Sequence, residues 1–274
     1  MSAMTVLTQS IWAVDITIND TMNSGGVYGT DSRVGIREDG EVEPRNLTGQ
    51  VWDLEAFVVQ NQKLYLIGGF NFLNGQSGNG MTFRSGDLFI DNNNNALWGA
   101  GSPTLSGGDG YRILNNRVYQ FNYVIDLSFP SYAYNVYELD ESASTADRMR
   151  SVYYRENDES NPWEYLGEQS GTSITKPTTA LASGNVDYFT GLSDVQILAD
   201  YGVSLTGGGH NVVGIDMSWY TGDDLLTHFT FGCGNDAIVG ELRGGFDVPD
   251  PGTTLMLLGF GLTALAAANR KLRR

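Results

Sequence analysis

The sequence predicts an all-β protein: a two-sheet β-sandwich or jelly-roll-like domain followed by a single C-terminal transmembrane helix. Three observations carry that expectation. Apolar side chains alternate with a period of two, not 3.6. Clusters of Gly, Asn, Ser and Thr interrupt them at short intervals. An uncharged apolar run, Gly252–Ala268, stands just before a basic C-terminus. The composition agrees: of 274 residues 41% are apolar, 11% aromatic and 18% charged, with 35 glycines. That is enough aromatic and β-branched bulk for a core, so the chain is globular rather than disordered.

Leu64–Ile67, Asp87–Ile90, Val118–Ile125 and Tyr134–Leu139 read as strands, as do Val195–Leu198, Val212–Trp219 and Leu226–Phe231. Val51–Gln60 reads as a strand pair or as part of a longer strand. Turn clusters at 68–80, 91–95, 99–110 and 206–211 separate these segments. No window reads as a soluble amphipathic helix of 12 or more residues. The polar stretch Leu139–Pro162 is expected to form a long loop or hairpin across the surface of one domain, not a boundary between two. No repeat of 20 to 50 residues recurs.

Charge narrows the partners. The net charge is −16, but four of the 16 basic residues, Arg270, Lys271, Arg273 and Arg274, sit in the last five positions. The chain up to Asn269 therefore carries 12 basic against 32 acidic residues, a balance of −20. Such a surface repels nucleic acid and anionic head groups. Cations and neutral polymers such as polysaccharide remain open as partners. Cys233 is the sole cysteine, so no disulfide forms within the chain. A sandwich of this size has core enough to stand without one.

The apolar run would span roughly 25 Å as a helix, slightly short of a hydrocarbon core. With cations on its C-terminal side and the acidic body before it, the body lies outside and the tail inside. A helix docked on the domain is the alternative, and it leaves the four terminal cations unexplained.

Val248, Pro249, Asp250, Pro251 and Gly252, then the apolar run, then Arg270, Lys271, Arg273 and Arg274, together resemble a PEP-CTERM-type sorting signal in a VPD variant. Asp250 stands where the commonest form has Glu. The resemblance implies recognition by an exosortase, a membrane-embedded cysteine transpeptidase, with cleavage near the motif. It also implies transient anchoring in the inner membrane, then delivery to the cell surface or a biofilm matrix. SGDLFID (85–91), YNVYEL (134–139), NPWEY (161–165) and THFTFGCGNDAIVG (227–240) are similar to phrases common in the extracellular regions of such proteins. The expected organisation is a signal-peptide remnant over 1–13, the sandwich over 14–247 and the sorting signal over 248–274. Met1–Ala13 lacks the basic start of a secretory leader, and its alternative reading is a first strand over Val6–Ile18.

Catalytic candidates are sparse. His228 and Cys233 stand five apart, too far on an extended strand for the contact of about 3 Å that a Cys–His nucleophile needs. Glu138, Asp140 and Glu141 lie together, but not in an acidic pattern that marks a glycan hydrolase. Asp91, Asn93 and Asn95 have the alternating oxygens of a calcium loop. Ala96 replaces the Gly of an EF-hand, and Ser102 stands where its Glu would be. The stretch reads as a looser calcium site completed by Asp87 or Asp109, or as an Asn-rich turn. No other cofactor is expected. Trp98, Trp163 and Trp219 are candidate platforms for sugar rings. The sequence thus points to a non-enzymatic structural or adhesive surface protein. Its alternatives are a carbohydrate-binding, lectin-like module, calcium-dependent if the loop is used, and a glycan-active hydrolase.

Overall fold

The protein is described by a computed structural model over residues 11–12, 14–16, 49–97, 106–140, 147–222 and 224–242. Its elements are almost all strands. In chain order they are β1 (Ile11–Trp12), β2 (Val14–Ile16), β3 (Leu54–Gln60), β4 (Lys63–Gly68), β5 (Gln76–Gly78), β6 (Met81–Phe83), β7 (Leu88–Asp91) and β8 (Ile113–Asn115). Then come β9 (Tyr123–Ser128), β10 (Ala133–Glu138), β11 (Asp147–Arg150), β12 (Glu164–Ser170), β13 (Ser173–Thr175), β14 (Ala182–Asn185) and β15 (Asp187–Leu192). A helix, α1 (Asp194–Tyr201), precedes β16 (His210–Asp216), β17 (Leu225–Thr230) and β18 (Ala237–Leu242). The all-β expectation holds, and β1 and β2 fall inside the Val6–Ile18 stretch.

The strands form a five-stranded sheet (β1-β3-β4-β16-β15), a seven-stranded sheet (β14-β10-β9-β7-β17-β18-β2), a four-stranded sheet (β13-β12-β11-β8) and the β5-β6 ribbon. Alternation assigns the faces. Leu54, Phe57, Leu64, Leu66 and Ile215 from the five-stranded sheet share one buried core with Leu88, Ile90, Ile125, Val136, Phe229 and Ile238 from the seven-stranded one. These two sheets are the expected sandwich.

Both sheets are also apolar on their outer faces, and each has a cover. Phe89, Val124 and Tyr137 of the seven-stranded sheet meet Leu114, Met149 and Tyr165 of the four-stranded sheet. Ala56, Val58, Ile67 and Val212 of the five-stranded sheet meet Ile197 and Tyr201 of α1, with Val203 and Leu205 after it. The molecule therefore has more layers than a two-sheet sandwich.

Hairpin chemistry fixes the register. Asn61 and Gln62 join β3 to β4 with φ of 53° and 59°, the left-handed pair that matches strand twist. Asn79 and Gly80 do the same between β5 and β6, so the turn cluster at 68–80 contains a small hairpin.

Three expectations are corrected. Val195–Leu198 is helical, not a strand: Ser193 and Gln196 form a reciprocal capping box, Gly202 closes the helix in the left-handed region, and Ile197 and Tyr201 share its buried face. Val118–Ile125 is not one strand, because a 3-10 turn over Asn116–Val118 precedes β9. In it the buried Asn116 side chain bonds both the N–H and the C=O of Phe121. The described part of the Leu139–Pro162 stretch is not a plain surface loop: β11 pairs antiparallel with β12, as the hairpin alternative has it, but lies inside the four-stranded sheet between β12 and β8, and Met149, Ser151, Val152, Asn157 and Asn161 are buried. Its polar side chains hide this by serving the backbone, as when Asn161 Oδ1 accepts from Val152 N at 2.8 Å. The membrane segment over 252–268 lies outside the described residues. No helix among the described ones is long and apolar enough to cross a bilayer.

The joint between the sandwich and its third sheet is the segment Ser85–Asp87. Gly86 N donates to Thr230 O at 3.1 Å and Asp87 N to Trp163 O at 2.9 Å. A Cβ on Gly86 would stand 2.4 Å from the carbonyl oxygens of Thr230 and Trp163, both fixed in backbone. Gly86→Ala is therefore expected to destabilise the fold by about 1–3 kcal/mol, the usual cost of overpacking. Urea unfolding measures it, and a variant as stable as the parent would contradict the tight joint.

Candidate functional site

One end of the molecule carries a groove. Its first cavity, of about 380 Å³, is lined by Trp52, Phe83, Asn79, Tyr154, Asp109 and Glu156, with Asn157, Cys233 and Asn235. That volume falls in the range of small-ligand sites. A second cavity of about 520 Å³ is lined by Asp109, Arg155, Glu156, Asp158 and Glu159 with Gly108. Asp109 and Glu156 line both.

The groove lies on the seam between the sandwich and the third sheet. Trp52, Phe83 and Cys233 belong to the sandwich core. Asp109 precedes β8, and Tyr154–Asn157 follow β11, both in the four-stranded sheet. The buried rings of Trp52 and Phe83 lie 6.5 Å apart, and half-buried Tyr154 stands 5.7 Å from Phe83. Asn79, at the tip of the β5–β6 hairpin, donates to Tyr154 Oη at 2.8 Å. Asp109 Oδ1 accepts from Arg155 N at 3.2 Å, which sets this carboxylate beside the neighbouring Glu156.

The β17–β18 hairpin orients this end. Its turn carries Cys233 and Asn235 in the groove, whereas Leu242 ends β18 opposite Leu225 at the other end. Six residues of strand separate the two ends, roughly 20 Å. Leu242, the last described residue, therefore lies at the end of the hairpin remote from the groove.

A second polar cluster joins α1 to the five-stranded sheet. His210 has no solvent exposure; its Nδ1 lies 2.6 Å from Glu55 Oε2 and its Nε2 2.9 Å from Asp194 Oδ1. Gln50 Nε2 donates to the other Glu55 oxygen at 2.8 Å, and Gly208 N donates to Asp194 Oδ1 at 2.8 Å. Burial lowers the imidazole pKa, but the hydrogen bond and charge of Glu55, with Asp194, outweigh it and raise it above 6.5. This is an ion-pair clamp with a buried imidazole and a buried Glu55, open to solvent on the side of Asp194, whose side chain is 47% exposed. The sequence reading missed it, because His210 ends the turn cluster at 206–211 and its partners stand 155 and 16 residues away.

Among the described residues, those singled out from sequence are not gathered at one place. Asp91 is buried; its Oδ1 accepts from Asn93 N and its Oδ2 from Ala96 N, both at 3.0 Å, while Asn93 Oδ1 accepts from Asn95 N at 3.2 Å. The alternating oxygens close a turn on its own backbone. Asp87 is engaged elsewhere, by Leu127 N and Tyr165 N. No cluster of three or more His, Cys, Asp or Glu side chains suited to a metal ion occurs among the described residues.

Cys233 packs inside the sandwich core, while His228 lies against Phe89 and Phe121 on the outer face of the same sheet. The nucleophile–base pairing is absent. Burial pushes the His228 pKa down to about 3, with only slight opposition from the carbonyls of His228 and Ser160. Glu138 is exposed, the N–H of Asp140 donates to Asp147 Oδ2 at 2.6 Å, and Glu141 lies outside the described residues. Trp163 is buried and stacks on Tyr111 at 4.8 Å; Trp219 is half-buried between Tyr123 and Tyr220. Trp98 lies outside the described residues. Among the described tryptophans Trp52 lines the groove, and no sequence signal distinguished it from a core residue.

The clamp has a pH signature. A histidine whose folded pKa is raised stabilises the fold fully below its unfolded value of about 6.5 and loses that contribution as pH rises through the folded value. His228, with a depressed pKa, acts in the opposite sense and only below about 6.5. Melting temperature is therefore expected to fall from pH 6.5 upward through loss of the His210 clamp. His210→Gln should lower it at pH 6.5 and flatten that slope. An unchanged slope in the variant would remove His210 as its cause.

The sorting motif and basic tail, Val248–Gly252 and Arg270–Arg274, lie outside the described residues. No curated protein and no solved structure matches the chain. The family comparison does match at the C-terminus, over residues 247–272, which include the motif, the apolar run and two of the four terminal cations, Arg270 and Lys271. That stretch is a VPDSG-CTERM motif, a PEP-CTERM-like variant of the exosortase sorting signal, and it marks the chain as an exported protein sorted by an exosortase-type enzyme.

Proposed function

We propose that this is a cell-surface or extracellular-matrix protein with a structural or adhesive role, held transiently in the inner membrane by its C-terminal apolar segment. The single observation behind this is the sorting motif over residues 247–272. The charge distribution supports the membrane step: the basic end stays on the cytoplasmic side while the acidic body is translocated. An enzyme acting near the motif would release the body from that segment. The reading contains no catalytic step for the body itself.

Carbohydrate binding is a second reading, favoured by the groove. An apolar floor with a few converging polar groups is the usual make-up of a sugar site. The groove also opens at the end of the domain remote from Leu242, so attachment through the tail would leave it uncovered.

In native cells, intact mass is expected to show a mature form that lacks everything after the Val248–Pro251 region, outside the inner membrane. Deleting Arg270–Arg274 should cause the full-length chain to accumulate. Full-length parent protein in the cytosolic fraction would overturn the proposal.

A further inference from the structure

We infer that the groove takes an aminated sugar: a hexosamine unit with a free ammonium group, as in a deacetylated polysaccharide. This deepens the carbohydrate reading and rests on it. Two features of the groove carry it, its aromatic wall at Tyr154 and the sign of its exposed charge.

The wall fits a sugar ring. Tyr154 is half-buried at the groove, and the 6%-exposed Trp52 and 1%-exposed Phe83 close the base beneath it. The C–H face of a pyranose packs on an aromatic face such as that of Tyr154 while its hydroxyls point outward to polar groups. Asn79 is exposed at the rim, held by Tyr154, and offers an amide for hydroxyl contacts. Two adjoining cavities leave room for successive units of a chain.

The charge selects among sugars. Asp109 and Glu156 are exposed carboxylates at the junction of the cavities, and Asp158 and Glu159 line the second one with Arg155. Asp158 is buried and lies 4.0 Å from the Arg112 guanidinium, so the exposed acidic charge of the groove rests on Asp109 and Glu156 beside Arg155. An acidic sugar would be repelled from this field. A neutral sugar would use the carboxylates only as acceptors for hydroxyls. An ammonium group would form charge-assisted hydrogen bonds to them, roughly twice as strong as neutral ones. It would also sit beside the Tyr154 ring, where a cation gains further attraction. The body's balance of −20 up to Asn269 draws a polycation toward the same surface.

Isothermal titration of the purified full chain with glucosamine tetramer, N-acetylglucosamine tetramer and cellotetraose tests the inference. The glucosamine tetramer is expected to bind at least tenfold more tightly than either neutral chain, with the preference shrinking as salt is raised. Asp109→Asn combined with Glu156→Gln should abolish the preference and leave neutral binding in place. Both positions are exposed, so an unchanged melting temperature should confirm that the variant folds. Tyr154→Ala should weaken all three ligands. Equal affinity for the three parent titrations would overturn the amine preference while leaving the carbohydrate reading standing. Binding of none would overturn both. A preference that survives the double substitution would overturn the assignment to this groove.

Discussion

The carboxylate of Asp87 is buried where the seven-stranded sheet meets the four-stranded one, and each of its oxygens closes a different gap. Oδ1 accepts from Leu127 N on β9 at 2.8 Å, and Oδ2 accepts from Tyr165 N on β12 at 2.7 Å. Desolvation raises its pKa well above the ordinary value, and nearby Asp126 adds to this. Lys176, which also pairs with Asp126 at 2.7 Å, and the two backbone donors work the other way. A group that costs this much to bury persists where no apolar residue can satisfy two backbone donors at once. The third sheet hangs on this joint. Without that sheet, Phe89, Val124 and Tyr137 would face water and the groove would lose Asp109, Tyr154 and Glu156.

The same device recurs. Asp236 Oδ2 accepts from Leu54 N at 2.6 Å and ties the β17–β18 turn to β3. Asp147 accepts from Asp140 N and from the hydroxyl of Tyr165. Asp91 closes its own turn. Several of the acidic residues are thus internal acceptors that hold layers together, and the acidic composition is partly architectural. The groove carboxylates Asp109 and Glu156 differ from these in being exposed.

The sequence made much of this legible, for identifiable reasons. Period-two alternation located β4, β7, β10 and β17 because each has a mixed or buried face that the pattern reports. The C-terminal signal was legible because its three parts stand in order within 27 residues. Alternation failed at Val195–Leu198, where a capping box and a C-terminal glycine decided for a helix only one turn longer than the apolar run. It failed again at β11 and β12, whose flanks are polar because Asp147, Ser151, Asn157 and Asn161 bond the backbone internally. The spacing of Asp91, Asn93 and Asn95 is common to cation loops and self-closing turns, so it could not distinguish them. The groove was invisible because Trp52, Phe83, Asp109 and Tyr154 are scattered over a hundred residues and meet only at a seam between sheets.

That seam is the central claim, and amide hydrogen exchange of Asp87→Asn against the parent tests it most directly. An asparagine retains one acceptor oxygen and turns an N–H toward the other donor, which costs about 1–3 kcal/mol. Peptides covering β8, β11 and β12 should exchange roughly five- to a hundredfold faster, with those of β3 and β4 little changed. Uniform acceleration across all sheets, or none in the four-stranded sheet, would contradict a joint centred on this carboxylate.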